Sequence, residues 1–218
     1  MVLKEMHSTS SITELHYLPS ILWFAQIISS ETLVLEANEN FQKQTFRNRT
    51  TILSANGPLN LTVPVVKGRS SYKIKMEDIQ IDYGQPWNVT HWRTLVSSYS
   101  NSSYFEYYAP ELEFIYASKP ASLFQLNEQL LSFCLKCLSW KKEVIKTQTY
   151  NFPDFMYTND FRSRIDSNDL ERWRKVFKNH PYPQVFGKEF VINLSIIDLL
   201  ANLGPDASAY LKRIVSRV

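Results

Sequence analysis

The spacing of apolar positions changes along the chain, and each change predicts an element. SITELHY (11–17) and TLVLEA (32–37) are runs of strand length, the second β-branched and aliphatic enough for a buried strand. Between them ILWFAQII (21–28) reads as an amphipathic helix. Pro19 and Ser20 suit its start, since proline is tolerated in a first turn and serine caps it. Such a strand–helix–strand unit predicts a sheet whose strand ends hold a site. Next, FQKQTFRNRTTILS (41–54) and PLNLTVPVV (58–66) flank Asn56-Gly57, a dipeptide that supplies the positive φ angles of a tight hairpin. Leu59, Leu61, Val63 and Val65 alternate onto one face, and Pro64, with no ladder donor, predicts an edge or a strand end. IQIDY (79–83) reads as a further strand.

From Trp87 to Trp140 apolar residues recur three or four apart, which predicts helices in NVTHWRTLVSSY, in SSYFEYYAPELEFIYAS and in the segment opened by Pro120. VIKTQTY (144–150) reads as a strand, and 151–190 as a long loop with a helix near 170–178. LSIIDLLANLGPDASAYLKRIV is two helices broken at Gly204-Pro205. Ser195 and Asp198 have the spacing of a capping box. No repeat or low-complexity linker interrupts the chain. The expectation is a single domain over residues 1–218 of α/β class (α+β the alternative), with a mixed sheet, a long Asn-Gly hairpin and flanking helices.

Composition narrows the functions. The 218 residues are 44% hydrophobic and 14% aromatic, enough for a substantial core, which excludes disorder. The five glycines stand at 57, 68, 84, 187 and 204, so neither a GxGxxG nor a GxxxxGK[ST] loop exists. Twenty-four Lys+Arg against 21 Asp+Glu leave +3, without the basic stripe or basic-aromatic repeat of a nucleic-acid binder. The balance is compatible with a local basic pocket for an anionic small molecule. The longest apolar run, 21–28, is far short of the roughly 20 residues that span a bilayer. MVLKEMHSTSS has no apolar signal core, so a cytoplasmic protein is expected, and the Asn-x-Ser/Thr triplets at 48, 60, 88, 101 and 193 read as chance. Cys134 and Cys137 form CLKC, open to redox or metal use. Their helical pattern with Leu123, Leu126, Leu130 and Phe133 favours core packing, and the four histidines (7, 16, 91, 180) never fall at helical pair spacing. No metal and no cofactor are expected.

Several stretches together resemble one family: HYLPSILWFA (16–25), FQKQTFRNRT (41–50), GPLNLTVPVVKG (57–68), WNVTHWRTLVSSY (87–99), YFEYYAPELEFIY (104–116), DFRSRI (160–165), YPQVF (182–186) and LSIIDLLANLGP (194–205). Their identity and order resemble the WbqC-like proteins over nearly the whole chain. The resemblance implies a role in bacterial surface-polysaccharide (O-antigen) biosynthesis and, as its suggested reaction, transfer of glycine onto an amino sugar. Many relatives carry a Gln-Pro pair shortly before the Tyr-x-Pro element, where this chain has Glu14-Leu15-His16. If that pair shapes a pocket, substrate choice here differs.

Within that frame each candidate residue has two readings. His91 titrates near neutral pH when unperturbed and suits a base that deprotonates an attacking amine; otherwise it is a half-buried helix histidine. Lys43 and Arg49, sharing one face of a strand, suit a diphosphate clamp, and Asn48 on the other face suits a donor to a developing oxyanion; otherwise they are a solvated face. Tyr17, Pro19, Trp92, Arg93 and Tyr99 suit stacking around a sugar or base ring, with Trp92 more readily a core anchor. Asp160 and Arg162 share a pocket or form a surface ion pair. The expected partners are small molecules: a sugar or sugar nucleotide and an activated amino-acid donor. Two functions stay open, an amide-forming transferase and a non-catalytic sugar-nucleotide-binding module.

Overall fold

Four strands pair in parallel in the order β5-β2-β1-β6: β1 (Ser10–Glu14), β2 (Thr32–Glu36), β5 (Glu143–Lys146) and β6 (Asn159–Asp160). This computed structural model describes residues 9–66, 74–150, 159–163, 174, 177 and 179–216. Parallel neighbours need a crossover, and α1 (Ile21–Gln26) supplies it, capped as expected by Ser20, whose Oγ accepts from Trp23 N at 3.3 Å. The register sets Ser10 opposite Thr32 and Glu14 opposite Glu36, so both strands end on a carboxylate at one level.

The antiparallel pair β3 (Arg49–Ser54) and β4 (Gly57–Thr62) forms a separate two-stranded sheet, so parallel and antiparallel pairing are segregated within the α/β fold. Its turn differs from the expected one in detail. Ala55 and Asn56 make the loop, and only Gly57 takes a positive φ, +99°, the geometry of a turn followed by a left-handed glycine. Val63 and Leu61 are buried, whereas Leu59 near the hairpin tip is 39% exposed. Residues 43–48 are turns rather than strand, with Gln44 at φ +62°, which removes the shared strand face assigned to Lys43 and Arg49. Residues 79–83 form no strand; single bridges Val65–Ile81 and Gln80–Ser122 stitch them between two neighbours.

The helical stretches fold as α2 (Trp87–Tyr99), α3 (Phe105–Ser118), α4 (Leu123–Cys137), α5 (Ile196–Leu203) and α6 (Ala207–Val215), with a 3-10 turn, Gly204–Asp206, between the last two. Of the helix expected near 170–178 most lies outside the described residues; Arg174 and Phe177 within it are helical. Ile21, Leu22 and Phe24 of α1, Leu33 and Leu35 of β2, Leu126, Leu130 and Leu131 of α4, and Leu199 and Leu211 share one core. Each such side chain contributes about 1.5–3 kcal/mol by leaving water. Cys134 sits in that core and Cys137 at its margin, where burial pushes its thiol up to about 12. Ser195 caps α5, but Asp198 does not complete a capping box; its carboxylate accepts instead from Tyr182 Oη (2.5 Å) and Gln184 Nε2 (3.1 Å).

Two local features fix distant segments. Lys142 Nζ donates to the carbonyls of Ile27 (2.9 Å), Ile28 (3.1 Å) and Ser30, tying β5 to the end of α1. Gly204 has φ +53°, and a Cβ there would overlap the Tyr104 ring, whose backbone N–H donates to Ala201 O at 2.9 Å. No helix among the described residues is long and apolar enough to cross a membrane.

Candidate functional site

The strand-end position expected of a parallel sheet holds a lattice of buried charge. Glu14 and Glu36 close adjacent strands in register, an arrangement that repels unless partners intervene. Glu36, fully buried, accepts from Asn38 N (2.9 Å), Thr147 Oγ1 (2.7 Å) and Arg162 Nη1 (3.2 Å). Arg162 also forks onto Asp160, with Nε 3.1 Å from Oδ1 and Nη2 2.7 Å from Oδ2. Arg47 forks onto Glu39 at 2.6 and 2.5 Å, and both are buried. Burial alone would lower the Arg47 pKa, but the bond to Glu39 raises it on balance and the guanidinium stays charged. Glu14 accepts from Ser163 N at 3.0 Å and stands 3.5 Å from His16 Nε2. Burial pulls its carboxyl up, yet His16 and Arg47 hold it below the ordinary value.

On the other side of His16 lies a small recess of about 10 Å³, whose lining includes Tyr17, Pro19, Phe46, Arg49, Thr50 and Ser195. That is roughly the space of one water centre. Its wall carries a non-glycine residue in the left-handed region, Leu18 at φ +41°, a conformation that costs on the order of 1–3 kcal/mol. The Leu18 carbonyl accepts from both Thr50 Oγ1 (2.8 Å) and Ser195 Oγ (3.1 Å), which holds it there. Two of the lining residues each carry a buried atom with no protein partner, His16 Nδ1 and Arg49 Nε. His16 is 2% exposed. Burial lowers its pKa, only partly opposed by Glu14, so the ring is neutral at pH 7. With Glu14 facing Nε2, the proton belongs on Nε2 and the lone pair on Nδ1.

Tyr17 links this recess to His91. Its hydroxyl bonds His91 Nδ1 (2.9 Å) and Tyr116 Oη (2.5 Å), and Trp87 meets the imidazole edge to face, centroids 5.1 Å apart. Desolvation drops His91 to about 4, so it too is neutral.

The structure thus brings some expected site residues together and leaves others apart. Tyr17, Pro19 and Arg49 line the recess, and Asp160 pairs with Arg162 at the strand ends. His91 reaches the recess only through Tyr17, and neither it nor Lys43 is part of the lining. Lys43 and Arg93 are exposed. Asn48 Nδ2 donates to Val63 O at 3.0 Å, while its Oδ1 is buried without a protein partner. Trp92 stacks on Phe105 with centroids 6.1 Å apart and bonds Glu113 at 3.2 Å; Tyr99 is buried, its hydroxyl accepting from Leu53 N at 3.2 Å. Sequence reasoning did not single out Glu36, Glu39 or Arg47, and met Glu14 and His16 only as a departure from a pattern. A signal was present: SSITE and TLVLE, the two buried strands, both end in glutamate. Among the described residues no group of three His, Cys, Asp or Glu is placed to hold a metal ion.

Comparison with known proteins adds two findings. Residues 15–162 and 167–210 match the WbqC-like protein family. The chain is also 28% identical over 227 residues to an uncharacterized protein of Mycobacterium tuberculosis (strain ATCC 25618 / H37Rv), covering 93% of this chain and 96% of that protein. No solved structure matches it.

Proposed function

The chain belongs to the WbqC-like protein family, and from that premise we propose that it is a transferase of surface-polysaccharide (O-antigen) biosynthesis that joins an amino acid such as glycine to an amino sugar carried on a nucleotide. The observation that carries this reading is His16: buried, neutral, backed at Nε2 by Glu14, and offering an unpartnered Nδ1 in a recess that Arg49 shares. Amide formation needs these three parts. The amine nitrogen attacks the acyl carbon of an activated ester or thioester, a C–N bond forms, and the bond to the leaving oxygen or sulfur breaks. The proton lost by nitrogen passes to His16 Nδ1, while Arg49 donates to the carbonyl oxygen as it gains charge. Glu14 orients the imidazole and favours the imidazolium. Tyr17, held by His91 and Tyr116, gives the recess a rigid wall. Asp160 and Arg162 belong in this reading to the frame that keeps the strand ends in place.

One observation favours the second reading, a sugar-nucleotide-binding module without turnover. At the strand ends Glu36, Glu39, Arg47 and Arg162 contact one another and neighbouring polar groups, which is also how a rigid recognition frame is built. The two readings separate in one assay. Purified protein mixed with amino-sugar nucleotides and a glycyl thioester yields, for a transferase, a sugar heavier by one glycyl residue by mass spectrometry. In the His16→Gln protein the adduct falls by about 10²-fold or more while ligand-induced thermal shifts persist. Binding with no adduct from any donor supports the module and defeats the transferase.

A further inference from the structure

We propose that the recess between His16 and Arg49 seats one water as a nucleophile, so that the protein hydrolyses its own activated amino-acid donor when no acceptor amine is bound. The inference rests on the transferase reading and extends it to a second reaction of the same site.

Size comes first. At about 10 Å³ the recess admits a single oxygen-sized group and no ring. Its chemistry then selects which group. His16 Nδ1 offers a lone pair and Arg49 Nε offers an N–H, both buried and without a protein partner. A group that satisfies the two at once must donate and accept. A carboxylate fails, because it would set a lone pair against Nδ1. A neutral amine that accepts from Arg49 has spent its only lone pair and cannot attack. Water donates one hydrogen to Nδ1, accepts from Arg49 through one lone pair, and keeps a second lone pair for the acyl carbon. The walls do not yield easily, because Leu18 is held in its left-handed conformation by two hydroxyls on its carbonyl. Glu14 stands behind the imidazole at 3.5 Å to accommodate the positive charge it gains.

The step balances without a further reagent. The water oxygen bonds to the acyl carbon of the ester or thioester, and its proton goes to His16 Nδ1. Collapse of the tetrahedral adduct breaks the bond to the leaving oxygen or sulfur, which takes that proton. The products are the free amino acid and the alcohol or thiol.

The test uses the full chain, a glycyl thioester of N-acetylcysteamine as probe, and oxygen-18-labelled water, with and without an amino-sugar nucleotide. Without the acceptor, glycine is released faster than in buffer and carries the label in its carboxylate; adding the acceptor diverts the acyl group to the sugar. His16→Gln slows labelled release by about 10²-fold or more, and Arg49→Lys, which loses the fixed Nε donor, by about 10²-fold. Thermal unfolding of each variant is measured alongside, and if His16→Gln does not fold, Arg49→Lys decides the matter. A wild-type protein that glycylates the sugar yet leaves the thioester as stable as buffer does overturns this inference and leaves the transferase standing. If neither glycylation nor release occurs, both fall. Unchanged release in a folded Arg49→Lys protein also overturns the inference.

Discussion

Two buried polar clusters meet around Tyr17 and His16, and they are built on opposite terms. At the strand ends Glu14, Glu36, Glu39 and Asp160 are answered by Arg47, Arg162 and backbone or hydroxyl donors. Between α1 and the long helices, Tyr17, His91 and Tyr116 answer one another as neutral groups, with aromatic rings on their flanks. The difference follows from what each region brings to hand. A parallel sheet presents its strand ends to loops, and loops carry arginines and free backbone N–H groups; helix faces present apolar side chains. Charge survives burial only where the chain delivers a fork or a second donor. His16 belongs to neither group: its Nε2 faces Glu14, its Nδ1 has no protein partner, and the residue lines the recess.

The sharpest way to break this contrast is to remove one guanidinium. Arg47→Met leaves Glu39 buried and unpaired, and should cost about 3–5 kcal/mol, read as a lowered midpoint in urea denaturation at pH 7. An unchanged midpoint would mean that the pair stabilises nothing. Acid should act next most strongly, through the neutral cluster. His91 sits at about 4 when folded against 6.5 unfolded, so the unfolded chain takes up its proton first. Its contribution is complete above pH 6.5 and is lost as pH falls toward about 4, amounting to about 2 kcal/mol near pH 5. His16 and Glu14 work in the same sense, and Asp198, whose carboxyl is pushed up by burial, in the opposite one. Denaturation midpoints measured from pH 7.5 to 4.5 should therefore fall less steeply in His91→Asn than in wild type. An equal slope in the two proteins removes His91 from the account.

Tyr17→Phe deletes one oxygen from the neutral cluster and strands His91 Nδ1 and the Tyr116 hydroxyl. A loss of about 1–3 kcal/mol is expected, with glycylation retained at reduced kcat if the ring alone serves as the wall. Last, Lys136→Ala breaks the exposed pair with Glu111, and its midpoint should coincide with wild type within error. A measurable drop there would show that surface charge matters more in this chain than the contrast allows.

The elements that rest on local pattern were readable in the sequence. β1, α1 and β2, the hairpin around Gly57, the three long helices and the break at Gly204-Pro205 all follow from periodicity and from proline and glycine chemistry. Contacts that join distant segments were not readable. Arg162 reaches Glu36 across 126 positions and Ser195 reaches Leu18 across 177, and no local rule links such pairs. Residues 43–48 misled for a related reason. Lys43 and Arg49 have the even spacing of one strand face, but Gln44 adopts a left-handed turn and Phe41 N–H bonds Ile74 O at 2.9 Å, a partner far along the chain. His91 drew attention as the histidine of an aromatic motif. The fold leaves the buried ring nitrogen without a protein partner on His16 instead.

The fit of Tyr104 beneath Gly204 has a consequence for how this chain can change over time. The ring occupies the volume that any side chain at 204 would need, and the backbone there is bent in a way that disfavours one. A side chain at 204 is therefore penalised twice, and a smaller residue at 104 relieves only the overlap. The glycine at 204 should persist whatever stands at 104, a hundred residues away.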